Sequence, residues 1–121
     1  MILADSSVWV DYLAGRDDGL ARLVETDAAL GHPFVTAEIA LGSLADPVGT
    51  IALLESLHQA RRATHSELMH LISSERLGGT GIGFVDAHLL AACRLSGSQL
   101  WTRDRRLRVQ AERLGCTWTP R

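Results

Sequence analysis

The chain has 121 residues, 46% hydrophobic and 21% charged, with a formal net charge of −2, which bounds it to a single globular domain, 1–121, large enough to build its own core. No apolar run approaches the ~20 residues that span a bilayer, and the acidic balance excludes nucleic-acid binding through bulk positive charge alone. Cys93 and Cys116 lack CxxC spacing and sit in apolar contexts, as reduced structural thiols do. With neither a basic nor a long apolar leader segment at the N-terminus, a cytoplasmic location is expected.

Ile2 to Asp5 reads as a short strand, followed by a helix from about Ser7 to Ala14 that stops at Gly15. Asp17 and Asp18 offer an N-cap for a second helix with Leu20, Leu23 and Val24 on one face. Pro33-Phe34-Val35 is expected to be a strand, with Thr36 capping a helix that carries Glu38, Ile39, Leu41 and Leu44. Asp46-Pro47 places a capping acid before a proline at the first helical position, and Val48, Ile51, Leu54 and Leu57 then recur at helical spacing. Ser66 is read as the cap of a helix bearing Leu68, Met69, Leu71 and Ile72.

The run Gly78-Gly79-Thr80-Gly81-Ile82-Gly83 has no lysine and does not match a P-loop, so it reads as a turn before a helix from Phe84 to about Ser96, closed by Gly97. Leu100 to Thr102 is a strand, Arg105 to Leu114 a helix, and Thr117 to Thr119 a last short strand. Strands alternating with helices predict an α/β fold with a mostly parallel, helix-covered sheet.

Four carboxylates, Asp5, Glu38, Asp86 and Asp104, each stand where an apolar run gives way to a helix start. In open α/β sheets, ligands bind in the crevice outside the carboxyl ends of the strands. Acids gathered there repel one another unless some hold protons or a cation neutralises them, and a hard divalent ion with oxygen ligands is the usual solution. Asp86 carries the strongest argument: at 100° per residue, Leu89, Leu90 and Cys93 fall within about 60° of it, so the acid shares an apolar stripe. The rival reading of each acid is a helix cap or a first-turn dipole partner.

Ser6, Ser7 and Thr102 are hydroxyls placed to orient a carboxylate or a metal-bound water. All 12 basic residues are arginine, and Arg103, Arg105, Arg106 and Arg108 crowd around Asp104. Arginine makes planar, bidentate contact with phosphate, so an acidic centre with an arginine rim suits a polyanionic substrate. The five histidines form no HxxxH or HExxH pattern and read as surface or ordinary core residues.

The segments Ile2-Leu3-Ala4-Asp5-Ser6-Ser7-Val8-Trp9, Val35 to Gly42 around Glu38, Ile82 to Ala92 around Asp86, and Leu100-Trp101-Thr102-Arg103-Asp104 together resemble a PIN-domain ribonuclease, and more narrowly the VapC toxins of bacterial toxin–antitoxin pairs. The resemblance implies a PIN-like three-layer α/β/α fold with a four- to five-stranded parallel sheet. It implies metal-dependent endonucleolytic cleavage of RNA by activated water, with one or two Mg²⁺ or Mn²⁺ ions held by Asp5, Glu38, Asp86 and Asp104. In that expectation Asp5 and Asp86 bind the ion directly, Glu38 and Asp104 complete the site partly through water, Ser6 and Thr102 support it, and Arg103, Arg105 or Arg106 meets RNA phosphates. The partners implied are a cognate VapB antitoxin and a second copy of the chain in a homodimer, with a higher assembly when the antitoxin is bound.

Ser6 stands where the family more often has threonine, which keeps the hydroxyl. A receiver domain would need a lysine near the last strand, and a haloacid-dehalogenase-like phosphatase would need Asp-x-Asp after the first; the chain has neither. The remaining alternative is a catalytically inactive PIN-fold module that binds RNA or protein without turnover.

Overall fold

The computed structural model describes residues 1–120. Its elements are β1 (Ile2–Ala4), α1 (Ser6–Leu13), α2 (Gly19–Glu25), β2 (Ala29–Gly31), α3 (Pro33–Ala40), α4 (Pro47–Ser56), β3 (His58–Gln59), α5 (His65–Ser74), α6 (Phe84–Ser96), β4 (Gln99–Trp101) and α7 (Arg105–Arg113). The four strands form one sheet in the order β3-β2-β1-β4, with every neighbouring pair parallel. Parallel neighbours need long crossovers, and the helices supply them. The chain steps outward from β1 to β2 and β3, then returns to the other side of β1 to lay down β4. That reversal opens a crevice at the carboxyl ends of β1 and β4, the position where this class of sheet binds ligands.

The core follows from near-continuous apolar strands. Leu3, Ala4, Leu30, Leu100 and Trp101 are buried in the sheet, and Trp9 on α1 packs against them. Every residue of α6 from Ala87 to Cys93 is buried, so this helix is enclosed on all sides rather than along a single stripe. Cys93 and Cys116 are free thiols lying side by side. Their shared hydrogen bond, with burial, pushes the Cys93 thiol up, and the same bond lowers that of Cys116. Among the described residues no helix is long and apolar enough to cross a membrane.

Four expectations are corrected. Pro33-Phe34-Val35 is not a strand: β2 lies earlier, with Ala29 and Leu30 in register with Ile2 and Leu3. Pro33 instead opens α3, where its missing N–H is harmless, and His32 Nδ1 accepts the Phe34 N–H at 3.0 Å as the cap in place of Thr36. The helix expected to be capped at Ser66 is capped by Thr64. The segment from Thr117 to Thr119 contributes one bridge to Leu100 rather than a strand, so the sheet has four strands. The short edge strand β3 was not anticipated.

At α5 the Thr64 side chain accepts the Glu67 N–H at 3.1 Å, and Glu67 Oε1 accepts the Thr64 N–H at 2.9 Å. Such a reciprocal box satisfies two otherwise free helix donors. Thr64→Ala is expected to lower stability by about 1 kcal/mol, read as a fall in urea midpoint with unchanged slope, whereas Thr64→Ser retains it.

Candidate active site

Asp5 ends β1 and caps α1, and it is 5% exposed. Its Oδ1 accepts from Ser7 N at 3.0 Å, from Val8 N at 3.4 Å and from the Ser7 hydroxyl, and its Oδ2 accepts from the Thr102 hydroxyl. Burying an ionised acid is tolerable with such a dense donor set. Thr102, buried at the end of β4, also accepts the Asp104 N–H at 3.0 Å, while the Ser7 hydroxyl accepts the Arg103 N–H at 3.2 Å. The two strand ends flanking the crevice are thereby tied to one carboxylate.

Asp104 caps α7 through its Oδ1, which accepts from Leu107 N at 3.1 Å. Its cap reading and its place beside the crevice are both true of the structure. Glu38 rides on α3, and its Oε1 accepts from the Ser6 hydroxyl at 3.2 Å. Partial burial raises the Glu38 carboxyl above the usual range; the Ser6 hydroxyl opposes this, and repulsion from Asp86 and Asp5 reinforces it. Asp86 lies in the first turn of α6 with Oδ2 3.4 Å from Gly83 N. Burial raises it as well, opposed by that backbone donor and reinforced by Asp104 and Asp5. The four acids thus form one electrostatic unit contributed by β1, α3, α6 and the loop after β4.

The unit is chemically uniform: all of its donors are carboxylate oxygens, which fit a hard divalent cation and not a soft metal. Among the described residues, no three His, Cys, Asp or Glu side chains are already gathered as a ligand set. A cation of the Mg²⁺ kind keeps several waters and takes one or two carboxylates directly, so this spacing does not disqualify the acids.

The arginines divide. Arg103 donates to Asp11 at 2.6 Å and to Asp17, and its guanidinium stacks on Trp101 at 5.8 Å. These bonds commit it to bracing α1 and the following loop, which weakens its expected role on phosphate. Arg105 and Arg106 are exposed at the start of α7. The Arg106 stem lies where a Cβ on Gly81 would come within 3.0 Å, and Gly81 has φ +87°, so glycine there both permits the turn and seats the arginine.

Sequence reasoning missed two features of this edge. The first is the pair of aspartates that hold Arg103. The second is a cluster of His32, Phe34, Phe84 and His88, with ring centroids 4.7–6.0 Å apart. Burial, with repulsion from His88 and Arg62, lowers His32 to about 4, so the ring is neutral at physiological pH.

No protein-family profile matches the chain. Among solved structures, PAE2754 from Pyrobaculum aerophilum superposes with a TM-score of 0.57 at 19% identity, over 93% of this chain and 85% of that one; at that identity the likeness concerns the fold alone. Among curated proteins, Ribonuclease VapC32 of two Mycobacterium tuberculosis strains, CDC 1551 / Oshkosh and ATCC 25618 / H37Rv, is 42% identical over 116 residues, covering 95% of this chain and 94% of the relative. With that identity spread over nearly the whole length, and a parallel α/β sheet carrying acids at its carboxyl edge, the chain belongs to the VapC family of PIN-domain ribonucleases.

Proposed function

We propose that the protein is a metal-dependent endoribonuclease, the toxin of a toxin–antitoxin pair, and that Asp5, Glu38, Asp86 and Asp104 are its catalytic acids. The observation that carries this reading is that acids from separate segments bear on one another at the switch crevice, Asp104 and Asp5 raising Asp86, and Asp86 and Asp5 raising Glu38. Structural capping explains Asp5 and Asp104 and gives no reason for Asp86 and Glu38 to feel acids from other segments. Asp5 and Asp86 would hold a Mg²⁺ or Mn²⁺ ion directly, with Glu38 and Asp104 acting partly through water. When bound, the ion would supply Lewis-acid activation of water and neutralise charge on the phosphate, alone or with a second ion.

The chain's own contribution is positional. Ser7 and Thr102 fix the Asp5 carboxylate in one orientation, and Ser6 occupies Glu38 Oε1, leaving Oε2 to receive the proton of the attacking water. Arg105 and Arg106 are the better phosphate partners, since the charge of Arg103 is balanced by two aspartates. A VapB-type antitoxin and a second copy of the chain are the proposed partners. An inactive binding module would not need four coupled acids.

The test is incubation of the antitoxin-free protein with total and transfer RNA, with Mg²⁺ or Mn²⁺ and with chelator. The expected result is chelator-sensitive cleavage leaving 5′-phosphate and 3′-hydroxyl ends. Products ending in 2′,3′-cyclic phosphate would overturn the mechanism, because they require attack by the substrate's own 2′-hydroxyl.

A further inference from the structure

Cys93 lies about two turns along α6 from Asp86 and is 1% exposed, whereas Cys116, just after α7, is half-buried. Backbone bonds tie both residues to β4. Cys93 O accepts the Ser98 N–H at 3.0 Å, immediately before the strand, and Cys116 O accepts the Leu100 N–H at 2.6 Å within it. The Trp118 N–H returns to Leu100 O at 2.9 Å, and the Cys116 N–H donates to Ala111 O at 2.9 Å. Both cysteines are thus fixed beside the same stretch of strand, and their side chains meet: the Cys93 thiol donates to the Cys116 sulfur.

The surroundings suit a reactive pair better than two apolar fillers. That hydrogen bond lowers the Cys116 thiol, burial opposes it, and the Arg94 guanidinium adds to the lowering. Arg94 is shared with Glu75 at 2.9 Å. The same bond, with burial, raises Cys93, while Ser98 and the N-terminal ammonium pull the other way. The thiolate is the reactive form of cysteine, and neighbouring positive charge favours it. Two buried hydroxyls adjoin the pair, Ser98 Oγ beside Cys93 and Oγ1 of Thr117, the residue after Cys116. Neither has a hydrogen-bond partner among the described residues, although buried polar groups are nearly always satisfied. A sulfur that carries negative charge during its chemistry would give such donors an acceptor.

We infer that Cys93 and Cys116 form an oxidisable pair, a modification site at which a peroxide converts two thiols into one disulfide. The Cys116 thiolate, the more exposed of the two, attacks one oxygen of hydrogen peroxide. The O–O bond breaks, hydroxide leaves and takes up the proton that the thiol released, and the sulfur becomes a sulfenic acid. Cys93 then displaces the sulfenic hydroxyl, which departs with the Cys93 proton as a second water, and the S–S bond forms. Two thiols and one peroxide give one disulfide and two waters, so the step needs no other oxidant. The bond closes a loop that holds β4, Thr102, Asp104 and α7 and fastens it to α6, the helix of Asp86. Closing such a loop restricts the unfolded chain. The inference is independent of the ribonuclease reading.

The test treats the full chain, in chelator, with hydrogen peroxide, alkylates the remaining thiols, and reads intact mass and non-reducing peptide maps. The wild type is expected to lose two hydrogens per chain, to yield one peptide pair joined through Cys93 and Cys116, and to remain a single chain. Dithiothreitol should restore the original mass. The oxidised form should melt roughly 10 °C higher than the reduced form. Cys93→Ala is expected to stop at a sulfenic acid on Cys116 that dimedone traps, whereas Cys116→Ser leaves Cys93 unoxidised. Two thiols still free after a peroxide dose that oxidises glutathione completely would overturn the inference. So would a disulfide between chains, dimedone capture at Cys93 in place of Cys116, or a disulfide that lowers the melting temperature, since that bond would form only by distorting the fold. The wild-type mass and map decide the question even where a variant fails to fold.

Discussion

Asp86→Asn is expected to make the metal-free protein more stable while removing its activity. The Asp86 carboxyl is raised by burial and by repulsion from Asp104 and Asp5. A carboxylate whose folded pKa exceeds its unfolded value binds its proton more tightly when folded, so ionising it costs stability at neutral pH. That penalty is present above the raised pKa and disappears as pH falls below the ordinary range near 4. Asparagine still accepts from Gly83 N and loses only a helix-dipole contribution of ~0.3–1 kcal/mol.

The net gain should be about 1 kcal/mol at pH 7, of the size seen when a functional strain is relieved, or about 3–5 °C in Tm. It should shrink towards zero in acid. Cleavage, by contrast, should fall by roughly 10³-fold, the rate equivalent of the several kcal/mol that a correctly held ion supplies. Melting curves across pH in chelator, beside cleavage rates with Mg²⁺, check both halves. Asp86→Asn less stable than wild type at pH 7 would mean that the acid is a structural cap.

Thr102→Val is expected to lower both properties together. The Thr102 hydroxyl donates to Asp5 Oδ2 and accepts the Asp104 N–H at 3.0 Å, and the residue is 4% exposed. Valine keeps the shape but leaves a buried carboxylate oxygen without its donor and a backbone donor without its acceptor. An unsatisfied buried group costs about 1–3 kcal/mol, towards the upper end for a charged one, which corresponds to roughly 3–15 °C in Tm. Loss of a residue that orients a ligand typically lowers activity about 10- to 100-fold. Thr102→Ser, which keeps the hydroxyl, should recover most of the activity. If Thr102→Val lost stability while cleavage stayed intact, the orientation of Asp5 would be irrelevant to the chemistry.

Asp5 and Asp104 were legible as caps that follow an apolar strand, whereas Glu38, expected at a helix start, lies six residues into α3, and Asp86 lies in the first turn of α6 after a glycine-rich loop rather than a strand. Asp86 was the clearest, since its neighbours Leu89, Leu90 and Cys93 reported burial directly. The parallel sheet was legible from alternation. The start of α3 was not, because Phe34-Val35 is too short a run for periodicity to separate strand from helix. The deciding cap, His32, is also outside the usual Ser, Thr, Asp and Asn set. Strand β3 is two exposed polar residues, His58 and Gln59, held by pairing to Leu30 and Gly31, and nothing local marks it. The Arg103 ties to Asp11 and Asp17 span 92 and 86 residues. The cluster of Phe34 and Phe84 joins the starts of α3 and α6, which only the fold brings together.

Asp5, Glu38, Asp86 and Asp104 are proposed to act as one cation site. Its most direct test is calorimetric titration of the antitoxin-free protein with Mn²⁺, comparing the wild type with Asp86→Asn and Glu38→Gln. The wild type is expected to bind one or two ions per chain, with binding abolished or severely weakened in Asp86→Asn and weakened less in Glu38→Gln. Identical Mn²⁺ binding by all three proteins would contradict it, since the ion would then sit elsewhere and the acids would have local structural roles alone.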